Sequence, residues 1–196
     1  MEVDLRDTKS HSFGKNYITT LFSNLESAAD EAAELRDIDL VQDPDLRNAI
    51  QIVEDFLRQT KRICYGGMAI NAHLPASHKF YDLRKTLPDY DFFTPTPEED
   101  AKQLVALLKR NHFDNVSMRL GMHEGTYKVF VNYHGVADLT SVPLWFFKTL
   151  QKRALHESGI LYADSDFLRM GMYLELSRPR GEVERWDKVY KRLLLL

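Results

Sequence analysis

The stretch Arg62-Ile63-Cys64-Tyr65-Gly66-Gly67-Met68-Ala69-Ile70-Asn71, followed after a polar loop by Pro88-Asp89-Tyr90-Asp91-Phe92-Phe93, organises the whole chain. A short apolar strand runs into two glycines, a short helix over 68 to 74 follows, and a second strand opens with two carboxylates one residue apart. Side chains alternate along a strand, so Asp89 and Asp91 project from one face while Tyr90 and Phe92 go to the other. Two neighbouring carboxylates repel each other, and the arrangement persists in a folded protein when a cation, most often a metal, sits between them. Glycines without Cβ atoms let backbone N–H groups approach a phosphate at the start of the next helix. The two halves together point to a metal-bound nucleotide.

Composition sets the limits. With 196 residues, 44% of them hydrophobic, the chain is long enough to bury a core in one domain and part of a second. The single cysteine, Cys64, excludes an internal disulfide and fits a reducing compartment. No apolar run reaches the roughly 18 to 20 residues of a membrane span, and the polar start Met1-Glu2-Val3-Asp4-Leu5-Arg6-Asp7 is not a signal peptide. The expectation is a soluble, intracellular protein with no membrane contact. The net charge of −3 hides a division: residues 1 to 60 carry −7 and the remainder +4. Basic residues gather at Lys79, Arg84 and Lys85, at Lys148, Lys152 and Arg153, and at Arg178, Arg180, Arg185, Lys188, Lys191 and Arg192. Such clusters suit phosphate binding, and each suits a solvated face equally well.

In chain order, a polar lead-in to about residue 16 precedes a helix over 17 to 35, with Tyr17, Leu21, Leu25, Ala28, Ala32 and Leu35 at helical spacing. Asp43 is placed to cap a second helix and Pro44 suits its first position; Leu46, Ile50, Val53 and Leu57 form its apolar stripe. Residues 75 to 88 read as a long loop whose Lys79, Arg84 and Lys85 suggest a mobile basic flap. Thr96-Pro97-Glu98-Glu99 reads as a capping box for a helix ending near 111, with Ala101, Leu104, Val105 and Leu108 facing inward. Strands over 116 to 120 and 126 to 133 flank the turn His123-Glu124-Gly125, and His134-Gly135 leads into Val136-Ala137-Asp138-Leu139, a third strand with an embedded carboxylate. A helix from Pro143 to about 155, a short strand at Ile160-Leu161-Tyr162, a helix from 166 to 176 capped by Asp164 or Ser165, and a basic helix from 182 to 196 complete the reading.

Each feature has a plainer use. A Gly-Gly pair after a strand serves any tight turn, and an Asp-x-Asp pair is common as solvated charge. Asp138 differs, because it lies among apolar neighbours and a buried carboxylate is costly unless paired, hydrogen-bonded or metal-bound. The seven histidines show no helical ligand pair, and no nucleophile-elbow or P-loop motif occurs.

Gly66-Gly67, Asp89-Tyr90-Asp91 and a third Asp on a later strand together resemble the signature of the polymerase-β-like nucleotidyltransferase superfamily. More narrowly, Tyr65-Gly66-Gly67-Met68-Ala69-Ile70-Asn71, Pro88-Asp89-Tyr90-Asp91-Phe92-Phe93 and the tail Leu168-Arg169-Met170-Gly171-Met172-Tyr173-Leu174-Glu175-Leu176-Ser177-Arg178-Pro179, with Arg185-Trp186 and 188 to 193 after it, look like the catalytic poly(A) polymerases of large nucleocytoplasmic DNA viruses, above all the giant-virus type. The resemblance covers about residues 60 to 196. It implies an α+β nucleotidyltransferase core over 61 to 165, a mixed sheet flanked by helices, with a helical segment over 1 to 60 before it and the start of a second, helical domain over 166 to 196. Two departures stand out: family members continue into a further C-terminal domain, and the superfamily often has Ser at the position of Gly67, so only backbone donors remain there.

The resemblance further implies template-independent addition of AMP from ATP to RNA 3′ ends, as in mRNA polyadenylation, by phosphoryl transfer assisted by two metal ions. Asp89 and Asp91 would bridge both ions and Asp138 would complete one site, with magnesium, or manganese in its place, as the ion. Gly66 and Gly67 would hold the triphosphate, and Lys188, with Arg178 and Arg185 behind it, would reach over it. Two other readings stay open: a nucleotidyltransferase acting on another acceptor, and a non-catalytic partner or truncated subunit of the same fold. The expected partners are ATP, an RNA 3′ end, and a second copy or a missing domain covering the leucines at 193 to 196. The expected location is the host cytoplasm or the virion.

Overall fold

The computed structural model describes residues 15–82 and 84–196; the polar lead-in through residue 14, the side chains of Lys15, Asn16, Tyr17 and Glu34, and Leu83 lie outside the described residues. Helix α1 (Lys15–Gln42) runs longer than its expected stripe. Leu21, Leu25 and Leu35 of that stripe are exposed, and the helix meets the rest of the chain near its end, where Val41 is buried and Leu40 packs against the core. Helix α2 (Pro44–Thr60) follows from local chemistry. The Asp43 carboxylate accepts from the N–H groups of Asp45 and Leu46 at 2.8 and 3.3 Å, Pro44 sits where its missing N–H costs nothing, and Lys61 closes the helix in the left-handed conformation. Its stripe of Leu46, Ile50, Val53 and Leu57 is buried as expected, joined by Ala49 and Phe56.

The strands are β1 (Ile63–Tyr65), β2 (Tyr90–Thr94), β3 (Val116–Leu120), β4 (Thr126–Val131), β5 (His134–Ser141), β6 (Leu155–Glu157) and β7 (Ile160–Tyr162). They form one mixed sheet in the order β3-β4-β5-β2-β1-β7-β6. β2 lies antiparallel to β1 and parallel to β5, so the motif strand is central and its neighbours include the strand of Asp138. The remaining helices are α3 (Gly66–His73), α4 (Pro97–Arg110), α5 (Leu144–Arg153), α6 (Ser165–Leu176) and α7 (Trp186–Leu195). α2 and α4 cover one sheet face, where Tyr90 and Phe92 are buried and the Tyr90 hydroxyl donates to Glu54 at 2.7 Å. On the other face an aromatic run joins Tyr65, Phe93, Phe167 of α6 and Phe146 of α5, beginning with a stacked pair 3.9 Å apart. Buried residues from every layer, through Met172 of α6 and Val189 of α7, belong to one core cluster.

Four local expectations change. Thr96 makes no side-chain cap on α4; buried Asp100 draws in Arg62 through bonds of 2.7 and 2.9 Å, and the same guanidinium takes the Thr96 hydroxyl at 3.3 Å. β4 ends at Val131, not at 133, and the turn falls on Asn132 and Tyr133, both with positive φ, the backbone that matches strand twist in a two-residue hairpin. The helix after Pro143 stops at Arg153, and Leu155–Glu157 instead pairs with β7 as an edge strand. The loop after α3 is anchored: it contains a 3-10 turn (Ala76–His78), and the buried Asn71 side chain accepts from the N–H groups of Phe80 and Tyr81 at 3.0 and 3.2 Å. α7 follows a 3-10 turn (Val183–Arg185), and its leucines divide: Leu193 and Leu196 pack against the core, while Leu194 and Leu195 are exposed.

Candidate active site

Backbone register builds the centre of the site. Tyr65 pairs with Asp91, Asp91 with Asp138, and Asp138 with Lys128 across four consecutive strands. Directly paired residues share a face, so these four side chains form one row on the sheet face opposite α2 and α4. Asp89 lies two residues before Asp91, on the same face and at the exposed outer edge of the row. The alternation expected from the sequence therefore separates the carboxylates from buried Tyr90 and Phe92.

The carboxylates act on one another. Desolvation, then the charges of Asp89 and Asp138, push the Asp91 carboxyl up to about 7, with Lys128 and Arg192 pulling the other way. Desolvation and Asp138 likewise raise Asp89 above the ordinary carboxylate range, although one side of it is open to solvent. Lys128 forms an ion pair with Asp138. Burial works against the ammonium, but Asp138, with Asp89 and Asp91, holds its pKa above the ordinary lysine value. Cys64 is fully buried, and desolvation together with the nearby aspartates pushes its thiol well up, so it is no nucleophile.

Two glycines bring α3 against this row. A Cβ on Gly66, where φ is +68°, would lie 2.3 Å from Oδ2 of Asp91, and a Cβ on Gly67 would lie 2.6 Å from the Tyr81 hydroxyl. Only glycine leaves room for the carboxylate and the phenol at those points. The helix begins on the glycines themselves rather than at Met68, which places their backbone in the first turn.

Opposite the sheet, Arg185, Lys188 and Arg192 recur at the spacing of one helical face around buried Val189. Arg185 is already engaged with Glu182 at 3.0 Å and Glu175 at 3.6 Å. Desolvation, with Arg192 and Arg185 beside it, draws Lys188 below the ordinary lysine value. A cleft of about 610 Å³ lies between these walls, lined by Gly66, Gly67, Asp91, Lys128, Asp138, Arg185 and Arg192 among others, with Tyr65, Phe93 and Phe167 as an aromatic side. Of the residues expected from the sequence, Gly66, Gly67, Asp91 and Asp138 line the cleft, whereas Asp89 and Lys188 are exposed and are not among its lining residues. The sequence reading passed over Lys128 and named Arg192 only as one of a basic cluster. Lys128 was legible only through register, since alternation alone does not say which strand lies opposite Asp138; Arg192 sits seven residues after Arg185 on the basic helix, a spacing that could have drawn it out.

The row suits a divalent cation in its chemistry. Its acids are oxygen donors, desolvation and then neighbouring carboxylates raise Asp89 and Asp91, and the cation beside Asp138 is the Lys128 ammonium. Among the described residues no three acidic, histidine or cysteine side chains are already gathered as a ligand set, and a cation at Asp138 would have to take the place of the Lys128 ammonium.

The chain is similar to known proteins over most of its length. A protein from Acanthamoeba polyphaga mimivirus that carries the name poly(A) polymerase catalytic subunit is 29% identical over 154 residues, 76% of this chain and 26% of its own length. A protein of the same name from African swine fever virus, isolate Pig/Kenya/KEN-50/1950, is 30% identical over 145 residues, 73% of this chain and 30% of its own. The chain thus spans less than a third of the length of these curated relatives. The crystal structure of the Megavirus polyadenylate synthase superimposes with a TM-score of 0.80 at 25% identity, over 96% of this chain and 39% of that one. The α+β architecture expected from the motifs is therefore the one found, and the family model for the poly(A) polymerase catalytic subunit matches residues 51–182, a span that contains both glycines, all three aspartates and Lys128. That match covers more than half of the chain, and this chain belongs to the family of poly(A) polymerase catalytic subunits.

Proposed function

We propose that the chain transfers AMP from ATP to the 3′ end of RNA without a template, the activity behind mRNA polyadenylation. The observation that carries this reading is the row of Asp91, Asp138 and Lys128 beside Gly66 and Gly67 at one end of a cleft whose far wall is cationic. The first-turn N–H groups of α3 would donate to the triphosphate, with Lys188 of α7 and Arg185 of the turn before it offsetting its charge. The aromatic side of the cleft, where Tyr65 stacks on Phe93 and Phe167 meets Phe93 edge-on, suits a purine base. Asp89 and Asp91 would hold the divalent ions, with Asp138 joining one of them; magnesium or manganese, when bound, supplies Lewis-acid charge to the entering and leaving oxygens. Asp138, released from Lys128, is the group placed to take the proton of the primer 3′-hydroxyl.

In this reading the described part of the expected segment over 1 to 60, residues 15 to 60, is helical, 61 to 165 are the catalytic core, and 166 to 196 the opening of a helical second unit. Among the described residues no helix is long and apolar enough to cross a membrane. The viral sources of the relatives support work in an infected host's cytoplasm or in the virion. Incubating the chain with an oligo(A) primer, magnesium and each nucleoside triphosphate in turn tests the proposal. Extension by ATP alone is expected; equal use of all four, or transfer only to a small-molecule or protein hydroxyl, would replace it with a nucleotidyltransferase of another acceptor.

A further inference from the structure

Two side chains with no assigned role meet at the glycine cradle. Arg192 projects from α7 over the rings of Phe80 and Tyr81, with its guanidinium 5.0 and 5.8 Å from their centroids, and Nη2 donates to the Tyr81 hydroxyl at 2.9 Å. The Tyr81 hydroxyl stands where a side chain on residue 67 would begin. Because that oxygen accepts from Arg192, its own proton remains available, and among the described residues it meets no acceptor. Arg192 likewise forms no ion pair with a carboxylate among the described residues, in contrast to Arg185 with its two glutamates. Of the three cations on that face of α7, Arg192 lines the cleft and carries no carboxylate partner. The pair is held from behind: Asn71, buried at the end of the same glycine helix, accepts from the backbone N–H groups of Phe80 and Tyr81 and fixes the loop that presents them.

We propose that Tyr81 and Arg192 form a phosphate clamp for the polyphosphate of the nucleotide, with Asn71 as a positioning residue; the proposal rests on the nucleotidyltransferase reading above. The guanidinium lines the cleft together with the Gly66 and Gly67 backbone, and the phenol oxygen lies against Gly67. An anion placed there would receive neutral and charge-assisted hydrogen bonds at once. A preformed stack of Arg192 on two aromatic rings leaves less side-chain freedom to lose on binding than a free lysine such as Lys188 has. The clamp also ties α7 to α3 through the loop, so nucleotide on one wall would be felt by the other.

The test is binding of inorganic tripolyphosphate and of a non-transferable ATP analogue to the intact chain, alongside AMP incorporation. Arg192→Ala should weaken tripolyphosphate about tenfold or more, and Tyr81→Phe, which keeps the ring, about threefold. Binding of adenosine alone should not change. Lys188→Ala should cost less than Arg192→Ala. Asn71→Ala should weaken tripolyphosphate in the native background but have no further effect in the Tyr81→Phe, Arg192→Ala background, a non-additivity that a purely structural role would not produce. If Arg192→Ala and Tyr81→Phe bind tripolyphosphate within twofold of the native chain, the clamp is wrong, while incorporation of AMP by the native chain still supports the activity. A native chain that binds neither tripolyphosphate nor ATP overturns the activity and the clamp together. Should Arg192→Ala fail to fold, Tyr81→Phe, which removes one oxygen from a part-exposed ring, decides the matter by itself.

Discussion

On the sheet side of the cleft, Tyr65, Asp91, Asp138 and Lys128 are placed by hydrogen-bonded register between four strands, whereas on the helix side Arg185, Lys188 and Arg192 are placed by a helical face and by side-chain contacts. The first kind of placement shifts only if a strand slips, and a slip of one residue would turn every carboxylate toward the opposite face. The second depends on α7 staying docked through Val189, Leu193 and Leu196, and on the loop that carries Tyr81. Like charges are forced together on the sheet because the backbone leaves them no alternative. On the helix, the cations are distributed, with one neutralised and another stacked.

The largest expected effect tests the sheet side. Asp91→Asn should lower AMP incorporation by roughly three orders of magnitude, since it removes a ligand and a charge from the reacting centre, while leaving the fold intact. Stability should even rise without metal. Asp91 titrates at about 7 in the folded, metal-free chain against an ordinary 3.8, so the folded state keeps its proton longer than the unfolded chain. The stability that follows is present below about pH 4 and is lost as pH rises toward 7. Melting curves in a chelator should therefore fall over that interval in the native chain and flatten in Asp91→Asn; parallel curves would mean that the row carries no repulsion.

Gly66→Ala comes next, because it joins the two sides of the comparison. Its Cβ would meet Oδ2 of Asp91 in a backbone conformation that costs an L residue about 1 to 2 kcal/mol. Incorporation should drop roughly a hundredfold with a measurable loss of melting temperature. Gly171→Ala on α6, where a Cβ meets nothing within 4 Å, is the matched control and should gain up to about 1 kcal/mol from helix propensity.

Lys128→Met should cost the metal-free chain about 1 kcal/mol, a modest figure because the ammonium is partly in water. The same change should increase the melting shift produced by magnesium, since an ion no longer has to displace the lysine from Asp138. An unchanged magnesium shift would place the ion away from Asp138. The smallest effect belongs to the loop. Arg84 is bonded to Asp82 and Lys79 lies 3.7 Å from Glu157, so replacing Lys79, Arg84 and Lys85 by alanine should raise KM for primer less than about threefold and leave KM for ATP alone. A steep loss of primer affinity with a flatter salt dependence would restore the picture of an RNA-binding flap.

The sequence by itself determined the features that depend on near neighbours. Asp43 and Pro44 start α2, the stripe from Leu46 to Leu57 buries one face of it, and the alternation through Asp89-Tyr90-Asp91-Phe92 assigns each side chain to its sheet face. Order along the chain, two glycines and then three carboxylates, was enough to suggest the superfamily, and the longer motifs with the tail from Leu168 to Pro179 suggested the family. Local chemistry misled where a distant partner intervened: Thr96 carries the letters of a capping box, but Arg62, recruited by buried Asp100, uses its hydroxyl. Only the tertiary structure decided that Lys128 stands opposite Asp138, that Tyr81 fills the space over Gly67, and that Arg192 reaches across to it. Each of those contacts joins elements whose relative placement is set by the packing of the core. Periodicity states which way a side chain points from its own strand or helix, and packing states what it finds there.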